Sequence, residues 1–60
     1  MELNERIYIE DDNGVDINAL LDELGIDYDY DSGDRLMIAE EDVDDVLIAL
    51  EDAGVEANLI

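Results

Sequence analysis

The stretch RIYIEDDNGVDINALLDELGI, residues 6–26, carries in order the signals for a strand, a turn, a helix and a helix stop. Residues 6–10 alternate, with Ile7 and Ile9 on one side and Tyr8 on the other, the period of two of a half-buried strand. Asp12, Asn13 and Gly14 supply turn and N-cap chemistry. Asp16 falls in the first helical turn, where the positive end of the helix dipole favours an anion. Ile17, Leu20, Leu21 and Leu24 follow at i, i+3, i+4 and i+7, a single apolar stripe. Gly25 is placed to end that helix in the left-handed conformation. Past it, Ile26, Tyr28 and Tyr30 alternate with Asp27, Asp29 and Asp31 as a second strand, and Ser32, Gly33 and Asp34 make a turn.

Displaced by 29 positions, the same stretch falls without a gap on RLMIAEEDVDDVLIALEDAGV, residues 35–55. Arg6 meets Arg35, Ile9 meets Ile38, Asp16 meets Asp45, Leu21 meets Leu50 and Gly25 meets Gly54. Like-for-like pairs lie between them, Ile7 with Leu36 and Ile17 with Val46 among others. Leu36 and Ile38 face inward and Met37 outward. Val43, Val46, Leu47 and Leu50 form the second helical stripe, and Val55, Ala57 and Leu59 close with a strand. The chain therefore reads as one domain, 1–60, built from repeat halves 1–30 and 31–60.

Each half is strand, helix, strand, so the order is βαββαβ. This is the ferredoxin-like arrangement, an α+β fold. Right-handed crossovers place both helices on one face of a four-stranded antiparallel sheet of order 4-1-3-2. The fold hosts many unrelated activities and names none of them.

Composition narrows the function instead. Twelve Asp and eight Glu face two Arg, with no Lys and no His, for a net charge of −18. Direct nucleic-acid binding through phosphates needs clustered Lys and Arg and is excluded. Docking on an anionic membrane surface is disfavoured for the same reason. Without cysteine there is no disulfide, zinc-thiolate site or thiol redox chemistry. With no His, Cys or Lys, most nucleophiles and general bases are missing. A chain of this size buries only about 60% of its unfolded surface, which leaves little room for a catalytic cleft. Among twenty carboxylates some pair stands at any chosen distance, so paired acids carry no glycosidase signal. The expectation is a protein that is not an enzyme and holds no cofactor. No apolar run reaches the length of a signal peptide or membrane span, so the chain reads as soluble and cytoplasmic, in a host cell's cytoplasm if it is viral. Seven Ile, eight Leu and four Val, set periodically and without proline, separate it from disordered acidic chains.

Three features are candidates for function. Asp27, Asp29 and Asp31 are spaced like the start of a calcium loop. The match fails, because the glycine required at the sixth position is Ser32 and the glutamate at the twelfth is Ile38. The outer face of the sheet should present Tyr8 and Met37 at its centre, Arg6 and Arg35 near the strand starts, and Asp27, Asp29, Glu56 and Asn58 at the edges. That is the wrong sign for RNA. It leaves a partly solvated face, a homodimer seam through Tyr8 and Met37, or a contact with another protein. On the second helix, Ile48 lies roughly 150° from the middle of the apolar stripe at about 100° per residue. Asp44, Asp45, Glu51 and Asp52 surround it, and Glu40 and Glu41 extend the acidic patch at the helix start. An apolar residue inside a charged rim has the layout of an interface anchor, although single exposed apolar residues are common.

The acidity has two principal explanations. One is salt adaptation in a small haloarchaeal cytoplasmic domain, which the absence of Lys fits. The excess of Ile over Val and the absence of Thr fit it less well. The other is mimicry of nucleic acid. Carboxylates at i, i+2 on a strand recur at about 6.6–6.8 Å, and helices add more at i, i+3 and i+4. Both approach the roughly 6–7 Å between successive phosphates of a strand. In size, charge and lack of catalytic groups the chain resembles the phage-encoded acidic inhibitors, the anti-CRISPR and anti-restriction proteins. The resemblance rests on no motif. It implies a basic nucleic-acid-binding protein as partner, such as a CRISPR effector or restriction enzyme, whose cationic groove the chain occupies. A regulatory module for some other basic protein is the third reading. The partner-facing candidates are Glu40, Glu41, Asp44, Asp45, Ile48, Glu51 and Asp52, with Asp27, Asp29 and Asp31.

Overall fold

A computed structural model of the protein describes residues 3–60. The chain runs β1 (Glu5–Asp11), α1 (Ile17–Leu24), β2 (Tyr28–Ser32), β3 (Arg35–Ile38), α2 (Val43–Asp52) and β4 (Glu56–Leu59), with a 3-10 turn over Glu40–Asp42 leading into α2. The strands form one antiparallel sheet in the order β2-β3-β1-β4, the ferredoxin-like order expected from the repeat. Ile7, Leu36 and Ile38 from the central strands pack with Ile17 and Leu21 of α1 and with Val43, Val46 and Leu50 of α2. Both helices therefore cover the same sheet face. Ile7, Leu21, Leu36, Ile38, Val46 and Leu50 are fully buried, and each such side chain contributes about 1.5–3 kcal/mol of transfer free energy.

The register carries the repeat. Ile7 pairs with Leu36, Arg6 with Met37 and Tyr8 with Arg35. A shift of 29 residues sends the first pair onto itself and exchanges the other two. The outer ladders obey the same rule. Ile7–Leu59, Tyr8–Asn58 and Ile9–Ala57 between β1 and β4 correspond to Leu36–Tyr30, Met37–Asp29 and Ile38–Tyr28 between β3 and β2. A pseudo-two-fold axis passes between Ile7 and Leu36.

The helix ends repeat as well. After α1 the N–H groups of Gly25 and Ile26 donate to the carbonyls of Asp22 and Leu21, at 3.1 and 3.2 Å. After α2 those of Gly54 and Val55 donate to Glu51 and Leu50, at 3.0 and 2.9 Å. Both are Schellman closures, with Gly25 at φ +71° and Gly54 at φ +86°. These bonds also explain why the outer strands start later than the alternation suggests. Ile26 and Val55 spend their N–H groups on the helix ends, so pairing begins at Tyr28 and Glu56.

Two local readings change. Asp16 stands before the first turn of α1, not in it: its backbone is extended, and its carboxylate accepts from the Ala19 N–H at 3.2 Å as the N-cap. Its repeat mate Asp45 lies inside α2, because the 3-10 turn starts that helix earlier. Leu24, counted with the core stripe, is 45% exposed. It is the last residue of α1, next to the glycine that ends the helix.

Candidate partner interface

α1 and α2 lie on the same side of the sheet, so their outward faces form one surface. α2 presents Asp44 and Asp45 in its first turn and Glu51 and Asp52 in its last, with Glu40 and Glu41 exposed in the turn before it. The second α2 pair is displaced from the first by seven positions along the helix, a rise of about 10 Å. α1 adds Asp16, Asp22 and Glu23 around exposed Ala19. Among the described residues no base stands on this helical side.

Both arginines are on the opposite side. Arg6 and Arg35 are exposed on the open sheet face with Tyr8 and Met37. The Arg6 Nε reaches across β3 to the Asp31 Oδ2 at 3.2 Å. Arg35 has no ion-pair partner among the described residues. Asp29 pairs in register with Met37, so the β2 acids belong to this open face, with Asp27 just before the strand. The acids chosen from the sequence thus fall on two surfaces that point apart. Glu40, Glu41, Asp44, Asp45, Glu51 and Asp52 share one with Ile48, and Asp29 and Asp31 share the other with the two arginines. Tyr8 and Met37, the candidate dimer seam, share this face as diagonal neighbours, each directly opposite an arginine, Tyr8 exposed and Met37 half-buried.

β2 is tied to the helical layer from its inner face. The Tyr30 hydroxyl donates to the Asn18 Oδ1 of α1 at 2.6 Å, and the Tyr28 and Tyr30 rings meet edge to face at 6.0 Å. Desolvation, then the Asp22 carboxylate, raises the Tyr28 phenol above its ordinary pKa. Desolvation, then Tyr28 and Asp16, does the same for Tyr30.

Ile48 is 59% exposed, but it does not stand alone. A groove of about 450 Å³ runs between the end of α1 and the outer side of α2, with Leu24, Ile26, Ile48 and Ala49 along it and Asp42, Asp45 and Asp52 lining it as well. The sequence reading missed this groove because it assigned Leu24 to the core.

Among the described residues, no three carboxylates gather into a group suited to a metal ion, and no helix is long and apolar enough to cross a membrane. No protein-family model, curated protein or solved structure matches the chain.

Proposed function

We propose that this protein is a nucleic-acid mimic that works in the cytoplasm and inhibits a basic nucleic-acid-binding protein, such as a CRISPR effector or restriction enzyme, by occupying its cationic groove. The match of charge to length carries the reading. The molecule is 29 Å along its longest axis and has a net charge of −18. A duplex carries one charge per about 1.7 Å of axis, hence about 17 over that length. The placement of the arginines supports the helical side as the contact surface, because neither dilutes the acids there. Charge complementarity of this kind accelerates association and makes it salt-sensitive.

The test compares the two helices. A partner captured from lysate at about 0.15 M KCl is titrated against Asp44→Asn with Asp45→Asn, and against Asp22→Asn with Glu23→Gln. The α2 pair should slow association several-fold and flatten its salt dependence, with a smaller effect from the α1 pair. No effect from either places the contact elsewhere, and equal effects from both spread it over the whole helical side instead of centring it on α2.

A further inference from the structure

A phosphate mimic needs only charge, yet the acidic helical side is interrupted by an apolar groove. Leu24 from α1 and Ile48 from α2 stand as its exposed walls, 45% and 59% accessible. Ile26 and Ala49 are half-buried along it. Asp42, Asp45 and Asp52 line it as well, so whatever enters lies beside carboxylates. At about 450 Å³ it falls within the range of sites that take organic groups, about 300–1,000 Å³. A nucleic acid or another acidic surface is repelled by those carboxylates, and a simple polycation leaves the apolar walls unfilled. The occupant with matching chemistry is an apolar side chain flanked by Lys or Arg on a helix of a basic protein.

We propose that this groove receives such a side chain, and that it, not the acidic coat, selects one cationic protein among many. The proposal rests on the mimicry reading for its partner class and names the contact that gives that class specificity. Charge brings the partner to the helical side, and the groove holds it, so the two act on different rate constants.

The test uses two synthetic helical peptides. Both carry Arg along one face; one has a single Leu in the middle of that face and the other has Ala there. At about 0.15 M KCl the Leu peptide should bind about tenfold more tightly than the Ala peptide. It should shift the methyl NMR signals of Leu24 and Ile48. The preference should persist at about 1 M KCl, where the Debye length has fallen to about 3 Å. Ile48→Ala and Leu24→Ala, both at exposed positions, should each remove most of the preference while the fold is kept. Equal binding of the two peptides overturns the proposal, as does a Leu preference that survives both substitutions or a shift of the Met37 methyl signal on the open sheet face in place of those of Leu24 and Ile48. Equal binding with steep salt dependence removes the groove and leaves mimicry standing. A Leu preference in a protein whose captured partners keep their nucleic acid removes mimicry and leaves the groove.

Discussion

Ile7 and Leu36 face each other across the two central strands, and each holds in its own half the position the other holds in its half. Both are fully buried between the sheet and the helices. The axis that relates the halves therefore runs through the centre of the core, and both halves depend on one contact.

Truncation at either residue should be equally damaging. Ile7→Ala and Leu36→Ala are each expected to cost about 2–5 kcal/mol, comparable to the roughly 3–5 kcal/mol that a core of this size supplies. Urea denaturation at fixed salt should show the cooperative transition lost or nearly lost in both. Ile48→Ala, outside the core, should leave the midpoint almost unchanged.

Gly25 sits at φ +71°, and a Cβ added there meets nothing within 4 Å. Any cost of Gly25→Ala is then conformational, about 1–2 kcal/mol for an L-residue in the left-handed region. D-alanine at this position, introduced by chemical synthesis, adopts that φ freely and should be neutral or stabilising by up to about 1 kcal/mol. The Tm of Gly25→Ala should fall, while that of the D-alanine variant should hold or rise. At Gly54 the added Cβ also meets the Asn13 Nδ2 at 3.3 Å, a side-chain end that is free to swing, so Gly54→Ala should cost a similar amount.

The raised phenols fix an alkaline limit. Tyr28 and Tyr30 have folded pKa values above the usual 10.0, so the folded state holds these protons more tightly than the unfolded chain. Their contribution is complete below about pH 10 and is lost as pH rises through the folded values. Stability measured from pH 8 upward should fall above about pH 10. Tyr28→Phe with Tyr30→Phe should flatten that fall. An unchanged alkaline slope in the double variant would assign it to other groups.

The salt dependence of folding separates mimicry from salt adaptation. Repulsion within a chain of charge −18 weakens the compact state, and salt screens it over a Debye length of about 8 Å at 0.15 M. A mimic working in an ordinary cytoplasm should melt cooperatively at about 0.15 M KCl and gain a higher Tm as salt is added. A transition that appears only above about 1 M KCl would assign the acidity to a saline cytoplasm.

The fold was legible because local signals and the repeat agreed. Gly25 and Gly54, 29 residues apart, close their helices with the same pair of bonds, and the alternation around Ile7 and Leu36 matches the observed register. The interface was less legible. Helical periodicity places Leu24 among core residues, but its burial depends on what packs over the end of α1, which no local pattern encodes. The Arg6–Asp31 ion pair spans an intervening strand, so it follows from strand order and not from spacing. Alternation did put Asp29 and Asp31 outward. On the sheet, outward is the direction opposite to the outward side of α2, which splits one candidate patch into two.

Mutual exclusion with nucleic acid tests the central claim most directly. A partner captured at about 0.15 M KCl is titrated with this protein in the presence of increasing concentrations of the nucleic acid that the partner binds. If the helical side of the protein occupies the cationic groove, the apparent Kd should rise in proportion to the added nucleic acid, and no ternary complex should form. A Kd unchanged by saturating nucleic acid, with all three components in one complex, would contradict mimicry.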